Sequence, residues 1–377
     1  LAMIRNIDTN MGRLMDFLDK EDLTNNTILI FTNDNGTTFG HRYYNAGMRG
    51  RKAQLWEGGH RVSFFLRWPG GDLGIPRDIE GVTSVKDVLP TLIDLCNLVT
   101  SEPTDFDGIS LAPVLRNKSR VPEERKVVIN YSRMPIGFDY PSPTSQTHMI
   151  REGSVVLWKH WRLLRGDELY NLKKDPRQQE NVINRHPQVA RKMKAHLQSW
   201  WAGIKDSVND YQTIPIGSPS ANPVKLTAVD WLDVFVDQQK QVRQGVRKNG
   251  YWNLEVARAG TYQFTLRRWP REINMGIGEG LPSTHAVSRA AGDTVRPGEA
   301  LPVSRARIFI NGLTEDQKRG AFQYNNQKQI RSGHEAVTFR VDLNKGPVRL
   351  HTWFNDDSGH PVTGAYYVYV KKTSEKP

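Results

Sequence analysis

Apolar residues recur at steps of three and four near the start of the chain: Ile4, Ile7, Met11, Leu14, Met15 and Leu18. That spacing predicts an amphipathic helix over residues 2–19, with this stripe packed on a sheet. A polar connection at Asp22–Asn26 follows, and then the period changes. Thr27-Ile28-Leu29-Ile30-Phe31 is an apolar run that stops at Thr32. A short run without alternation predicts a strand buried on both faces of a parallel or mixed sheet. A second strand is predicted over 62–67. Residues 84–98 predict a helix capped by Ser84 or Thr83, with Asp87 in its first turn. Residues 127–131, 147–151, 154–158 and 161–164 read as short strands, and 187–204 as a helix with Val189, Met193, Leu197 and Trp200 on its core stripe.

Beyond residue 213 the pattern shifts again. Ile214–Pro223 holds three prolines, two serines and a glycine, which predicts a linker. From Leu226 to Lys372 alternating segments take over, among them 251–256, 261–266, 306–310, 336–341, 348–354 and 366–370. Short alternating strands separated by Gly, Pro and Asn predict a β-sandwich. Its Trp252, Trp269 and Trp353 could stack on sugar rings, although aromatic residues in strands more often fill a core.

The predicted fold class is therefore α/β, followed by a small α+β subdomain and a C-terminal all-β sandwich. The expected boundaries are 1–120, 121–213, a linker at 214–225, and 226–377. A chain of 377 residues can bury two or three cores of this kind. No apolar run approaches the roughly 18 residues of a membrane span. The net charge of +12 and pI near 9.7 favour anionic partners. Nucleic acid is not the expected one, because no recognition motif accompanies the charge and the basic residues are scattered. The lone cysteine, Cys96, lies in an apolar pattern and reads as a small core residue.

Candidate chemistry begins where the strand at 27–31 ends. Asp34 and Asn35 offer oxygen donors at its carboxyl end, and Gly36 lets the chain turn away. Oxygen donors suit a hard cation, Ca²⁺ or Mg²⁺, although Asn, Asp and Gly are also ordinary turn residues. A glycine-rich loop follows with Arg49, Arg51 and Lys52, then Trp56-Glu57-Gly58-Gly59. Glu57 is expected to anchor the Gly-Gly turn.

The order of these motifs resembles the second half of a type I sulfatase catalytic domain. Asp-Asn-Gly after a strand, Gly-x-Lys, Glu-Gly-Gly-x-Arg-Val and Arg-Trp-Pro-Gly match, as do Asp8, Gly12 and Arg13 in the first helix. Asp107-Gly108-Ile109-Ser110-Leu111, Glu168-Leu169-Tyr170-Asn171-Leu172 and Asp175-Pro176 extend the resemblance to about residue 205. The departures, His60 for an aliphatic residue and Ser63 for Pro, lie on the strand side.

The resemblance implies a sulfuric ester hydrolase of the arylsulfatase type, with Asp34 and Asn35 as ligands of Ca²⁺ (Mg²⁺ as the alternative). Lys52 would be the cation that touches sulfate and the catalytic side chain of this stretch, with Arg49 and Arg51 as flanking alternatives. His41 is a further candidate substrate contact. The family's nucleophile is a formylglycine made from Cys or Ser within Cys/Ser-x-Pro/Ala-x-Arg. Cys96, followed by Asn97-Leu98-Val99-Thr100, does not fit that motif. The opening residues read as the interior of a family helix. The chain is thus expected to be a C-terminal portion whose upstream half supplies the nucleophile, two metal carboxylates and the acid/base histidines, and to be inactive alone. Expected substrates are a sulfated small molecule or polysaccharide, and the expected compartment is periplasmic or extracellular in a bacterium. Two alternatives stay open: a phosphonate or phosphate ester hydrolase of the same superfamily, and a non-catalytic glycan-binding protein. Asn35, where zinc phosphodiesterases carry His, argues against a zinc enzyme.

Overall fold

The computed structural model describes residues 2–100, 102, 104–131, 149–210, 212–232, 234, 236–282, 297–313 and 322–374. They form two compact units, one running to Asn209 and the other starting at Asp210.

The first unit opens with helix α1 (Ala2–Lys20) and strand β1 (Leu29–Thr32), which pairs with β2 (Phe64–Arg67) in an antiparallel two-stranded sheet. Between the two strands lies the loop carrying the candidate chemistry, closed by the single turn α2 (Glu57–His60). This corrects the expectation of a strand buried in a parallel or mixed sheet. Leu29, Ile30 and Phe31 are only half-buried, and β2 is the one strand paired with β1 among the described residues. The stripe of α1 departs from expectation too. Only Leu18 is buried, and Ile4, Ile7, Leu14 and Met15 stay exposed. Ile4, Ile7, Met11 and Met15 face Leu29, Phe31 and Phe65 across an apolar groove of about 390 Å³.

Ser84 caps the next helical segment: its side chain accepts from the Lys86 backbone, and its own N–H donates to Asp87 at 2.8 Å. Helix α3 (Val88–Leu95) follows, ending at Cys96, which is exposed rather than in the core. Asp87 also accepts from Ile109 N–H at 3.0 Å and from the Arg125 guanidinium, tying in the turn before α4 (Ala112–Leu115).

Strands β3 (Lys126–Asn130), β4 (Ser154–Trp158), β5 (Trp161–Leu164) and β6 (Glu168–Asn171) then form an antiparallel sheet in sequence order. A strand was expected at 147–151; of it, 147 and 148 lie outside the described residues, and Arg151 opens a 3-10 turn. Helix α5 (Pro187–Ile204) packs Ala190, Met193 and Leu197 against Val156, Leu163 and Leu169. The other face of the sheet, with Val127, Val155, Leu157, Leu164 and Tyr170, takes Leu55 and Val82. The candidate loop therefore rests on a sheet that is itself backed by a helix.

The second unit is the expected sandwich. The stretch predicted as a linker carries β7 (Ile214–Ile216) and the first two residues of β8 (Val224–Thr227), because Ile216, between two prolines, is a core residue and Leu226, just past the last proline, anchors the second strand. A short helix α6 (Gln239–Gln244) precedes β9 (Tyr251–Val256) and β10 (Gly260–Arg267). There follow β11 (Arg305–Gly312), β12 (Gln323–Gln329), β13 (Val337–Leu343), β14 (Gly346–Asn355), β15 (Pro361–Thr363) and β16 (Tyr367–Ser374). One sheet runs β13-β10-β16-β8. The other runs β12-β11-β14-β9-β7, with β15 beside β14. Phe264, Leu266, Phe339 and Val368 of the first interdigitate with Trp252, Leu254, Ile308 and Leu350 of the second. Trp252 and Trp269 are thus core residues, and Trp353, half-buried, lies on the outward face.

Candidate active-site loop

β1 ends at Thr32, and the next residues curve into a tight turn in which Asp34 accepts the Asn35 N–H at 2.9 Å. One Asp34 oxygen is thereby oriented by its own turn, and the side chain stays exposed at the rim. Two backbone bonds then lace this turn to the glycine-rich loop. Gly36 N–H donates to Gly59 O at 3.0 Å, and Lys52 N–H donates to Thr37 O at 3.0 Å. Such an approach needs glycine: a Cβ on Gly36 would meet Gly58 O at 1.9 Å, and one on Gly58 would meet Gly50 O at 2.6 Å.

The consequence is positional. Asp34, Asn35 and Lys52 are eighteen or fewer residues apart along the chain and belong to two loops joined through Thr37, with Asp34 and Lys52 exposed and Asn35 half-buried. Ala53, next to Lys52, holds φ at 72°, a left-handed conformation that costs an L-residue about 1 kcal/mol or more. Packing elsewhere must hold it there.

That packing is visible on the inner side of the loop. Glu57 is 2% exposed and takes a bidentate grip from Arg162 of β5, Nε at 2.7 Å and Nη2 at 3.1 Å. Its own N–H donates to Gln178 Oε1 at 2.8 Å. Burial alone raises the Glu57 carboxyl; the Arg162 guanidinium, helped by His60 and Arg61, carries it below the usual carboxylate range. The expected anchoring role of Glu57 has this geometry. His60 is lowered as well: burial, reinforced by Arg162 against the pull of Glu57, takes it to about 4.

Arg49 has a second employment. Its Nη1 donates to Gln178 O at 2.6 Å, and its guanidinium lies 3.5 Å from the centre of the Trp56 ring, which meets Tyr170 edge-on at 5.2 Å. Arg51 and Lys52 are exposed, and neither forms a side-chain ion pair among the described residues. His41 lies in a short turn at Gly40–Arg42, half-buried, with Nδ1 unpartnered; Phe39, Tyr43 and Tyr44 beside it are exposed. The anchors Arg162 and Gln178 are absent from the sequence-level candidates. Arg162 alternates inward on a strand with nothing to mark it, and Gln178 is one of two consecutive glutamines after Asp175-Pro176 with nothing to mark it either.

The donor chemistry of Asp34 and Asn35, a carboxylate oxygen beside a carboxamide, fits a hard cation but fills only part of a shell of six to eight oxygens. Among the described residues no group of three or more His, Cys, Asp or Glu side chains comes together that could complete it.

Comparison with known proteins bears on this loop directly. Residues 1–98 match the family model described as Sulfatase. The chain is 27% identical over 201 residues to an N-acetylglucosamine-6-O-sulfatase of Bacteroides thetaiotaomicron, covering 52% of this chain and 34% of that protein. It is 33% identical over 125 residues to the steryl-sulfatase of Homo sapiens, covering 31% and 21%. Among solved structures, the phosphonate monoester hydrolase of Agrobacterium radiobacter aligns over 53% of this chain and 40% of its own, at 23% identity and a TM-score of 0.41. The matched stretch spans about a third of the length of the bacterial sulfatase.

Proposed function

We propose that the N-terminal half of this chain is part of a type I sulfatase domain and contributes the rim of a site that hydrolyses a sulfate ester. Asp34 and Asn35 supply two oxygen ligands to a divalent cation, Ca²⁺ in preference to Mg²⁺ because a carboxylate and a carboxamide suit its larger, more irregular oxygen shell. When bound, that cation stabilises negative charge on oxygen, and a formylglycine on another segment of the catalytic domain supplies the nucleophile. Lys52 holds a sulfate oxygen, and as a compact ammonium it offsets charge that builds toward the leaving oxygen. Arg51, on the same exposed rim, is the alternative anion contact, whereas Arg49 steadies the loop through Gln178 and Trp56. His41, with exposed Tyr43 and Tyr44 nearby, contacts the group that carries the sulfate.

The single observation that carries this reading is the pair of backbone bonds joining the Asp34-Asn35 turn to the Lys52 loop, Gly36 to Gly59 and Lys52 to Thr37, each 3.0 Å. They support a common site for cation and anion. Two oxygen ligands are too few for the cation. The family resemblance assigns further carboxylate ligands, the nucleophile and the acid/base groups to another segment, and the exposed apolar groove between α1 and the β1–β2 sheet suits its docking. Substrates are sulfated carbohydrates or aryl sulfates, and the working compartment is periplasmic or extracellular. No described helix is long and apolar enough to cross a membrane.

Calorimetric Ca²⁺ titration of the complete catalytic domain tests the metal assignment. Asp34→Ala is expected to abolish both binding and turnover of an aryl sulfate. A variant with unchanged Ca²⁺ affinity would remove Asp34 from the site.

A further inference from the structure

The outward face of the six-stranded sheet in the second unit has a composition of its own. While Ala306, Ile308 and Ile310 of β11 point into the core, Arg305, Arg307 and Phe309 alternate outward. Opposite them on the edge strand β12 stand Asn325, Gln327 and Gln329, all exposed amides. On the other side, β14 sends out His351 and Trp353, whose rings stack 5.5 Å apart at 13°. Tyr251 of β9 continues the stack, 5.2 Å from His351 at 30°. Arg307 lies 4.8 Å from the centre of the Trp353 ring and donates Nε to Asn325 at 2.9 Å, so its plane is held across the strands. Glu255, at the end of β9, is the one carboxylate that these strands turn to this face among the described residues.

A buried polar group at the same face lacks a partner. Asn253, 2% exposed, accepts Arg349 Nε at 3.1 Å on its Oδ1, and its Nδ2 finds no acceptor.

Three chemistries meet here: the ring of Trp353, backed by His351 and the buried Tyr251, which takes the C–H face of a pyranose; neutral amides, which pair with hydroxyls; and sparse guanidinium groups, which grip sulfate oxygens in bidentate fashion. We propose that this face binds a sulfated polysaccharide chain, laid along β11 and β14 with sugar rings on Trp353 and sulfate groups on Arg305 and Arg307. A phosphodiester chain carries one charge per residue and calls for a continuous row of cations. Here a row of amides flanks the arginines, which suits hydroxyls interrupted by occasional sulfate. The proposal concerns the second unit and stands apart from the hydrolytic site.

Affinity electrophoresis of the whole 377-residue chain tests it, with dextran sulfate, unsulfated dextran or a single-stranded oligonucleotide in the gel. Dextran sulfate should retard the chain most. Trp353→Ala should weaken that binding about tenfold, the size of one lost stacking contact. Arg307→Gln should weaken it severalfold and shrink the preference over dextran, and Trp353→Phe should retain most of it. Arg191→Gln, an equal charge change on an exposed position of α5, should leave it unchanged. Should Trp353→Ala fail to fold by circular dichroism, Arg307→Gln and Trp353→Phe decide. The proposal falls if folded Trp353→Ala and Arg307→Gln bind as the parent does, if Arg191→Gln weakens binding equally, or if the oligonucleotide binds more tightly than dextran sulfate.

Discussion

Glu57 and Arg162 hold the reactive loop from behind, and they do so in a place with almost no water. A buried pair of this kind gains little over an apolar substitute, but breaking it leaves a desolvated charge and costs about 3–5 kcal/mol. Glu57→Ala strands Arg162, so the first unit should melt lower by that amount in thermal unfolding, with the sandwich transition unmoved. His60 adds a pH dependence. Its imidazole titrates near 4 when folded against a reference value of 6.5, so the unfolded chain binds the extra proton between those values. The stability of the first unit should thus be full above about pH 6.5 and fall as pH drops toward 4, where Glu57, also depressed, begins to lose its own contribution. His60→Leu should flatten the upper part of that curve in chemical denaturation followed from pH 4 to 7. An unchanged slope would place the titration elsewhere.

At the scale of elements, the loop and the turn meet through glycines, and Gly36→Ala should therefore disrupt more than a missing methyl's worth of space suggests. The new Cβ would have to move Gly58 O from 1.9 Å, and backbone cannot yield as a flexible side chain does. Loss of Ca²⁺ binding together with a destabilised first unit is the expected result, read by calorimetry and thermal melting on one preparation. Legibility in the sequence follows the same division. Elements whose burial is one-sided are readable: α5 by its 3.6 period, and β11, β13 and β14 by alternation. The polar edge strand β12 is not, because a strand of Gln, Asn and Lys carries no alternation of burial to read. β7 and the first residues of β8 read as a linker because proline and serine outweigh the isolated core residue Ile216. β1 misled in the opposite sense: an apolar run reports what a strand is able to bury, and its partner β2 covers one edge only. Asp34, Asn35 and Lys52 stood out by motif, but Arg162 and Gln178 did not, since the partners of a buried carboxylate come from 105 and 121 residues away.

For the whole molecule, the two proposals fall on two units of distinct architecture: ester hydrolysis at the rim of the first and polysaccharide capture on the sheet of the second. The first unit leaves apolar residues of α1 and β2 exposed, Ile4, Ile7 and Phe65 among them, in keeping with a catalytic domain that requires a further segment. The 377-residue chain by itself should accordingly show no turnover of an aryl sulfate above the uncatalysed rate, even with Ca²⁺ present. Adding or fusing the complementary segment should restore it. The central claim is that Lys52 and the Asp34-Asn35 pair serve one sulfate group, and kcat/KM of the complete catalytic domain carrying Lys52→Ala tests it most directly. A fall of about 10²–10³, the size of a lost charge-stabilising contact, is predicted with Ca²⁺ affinity intact. A variant that turns over at the parent rate would contradict it.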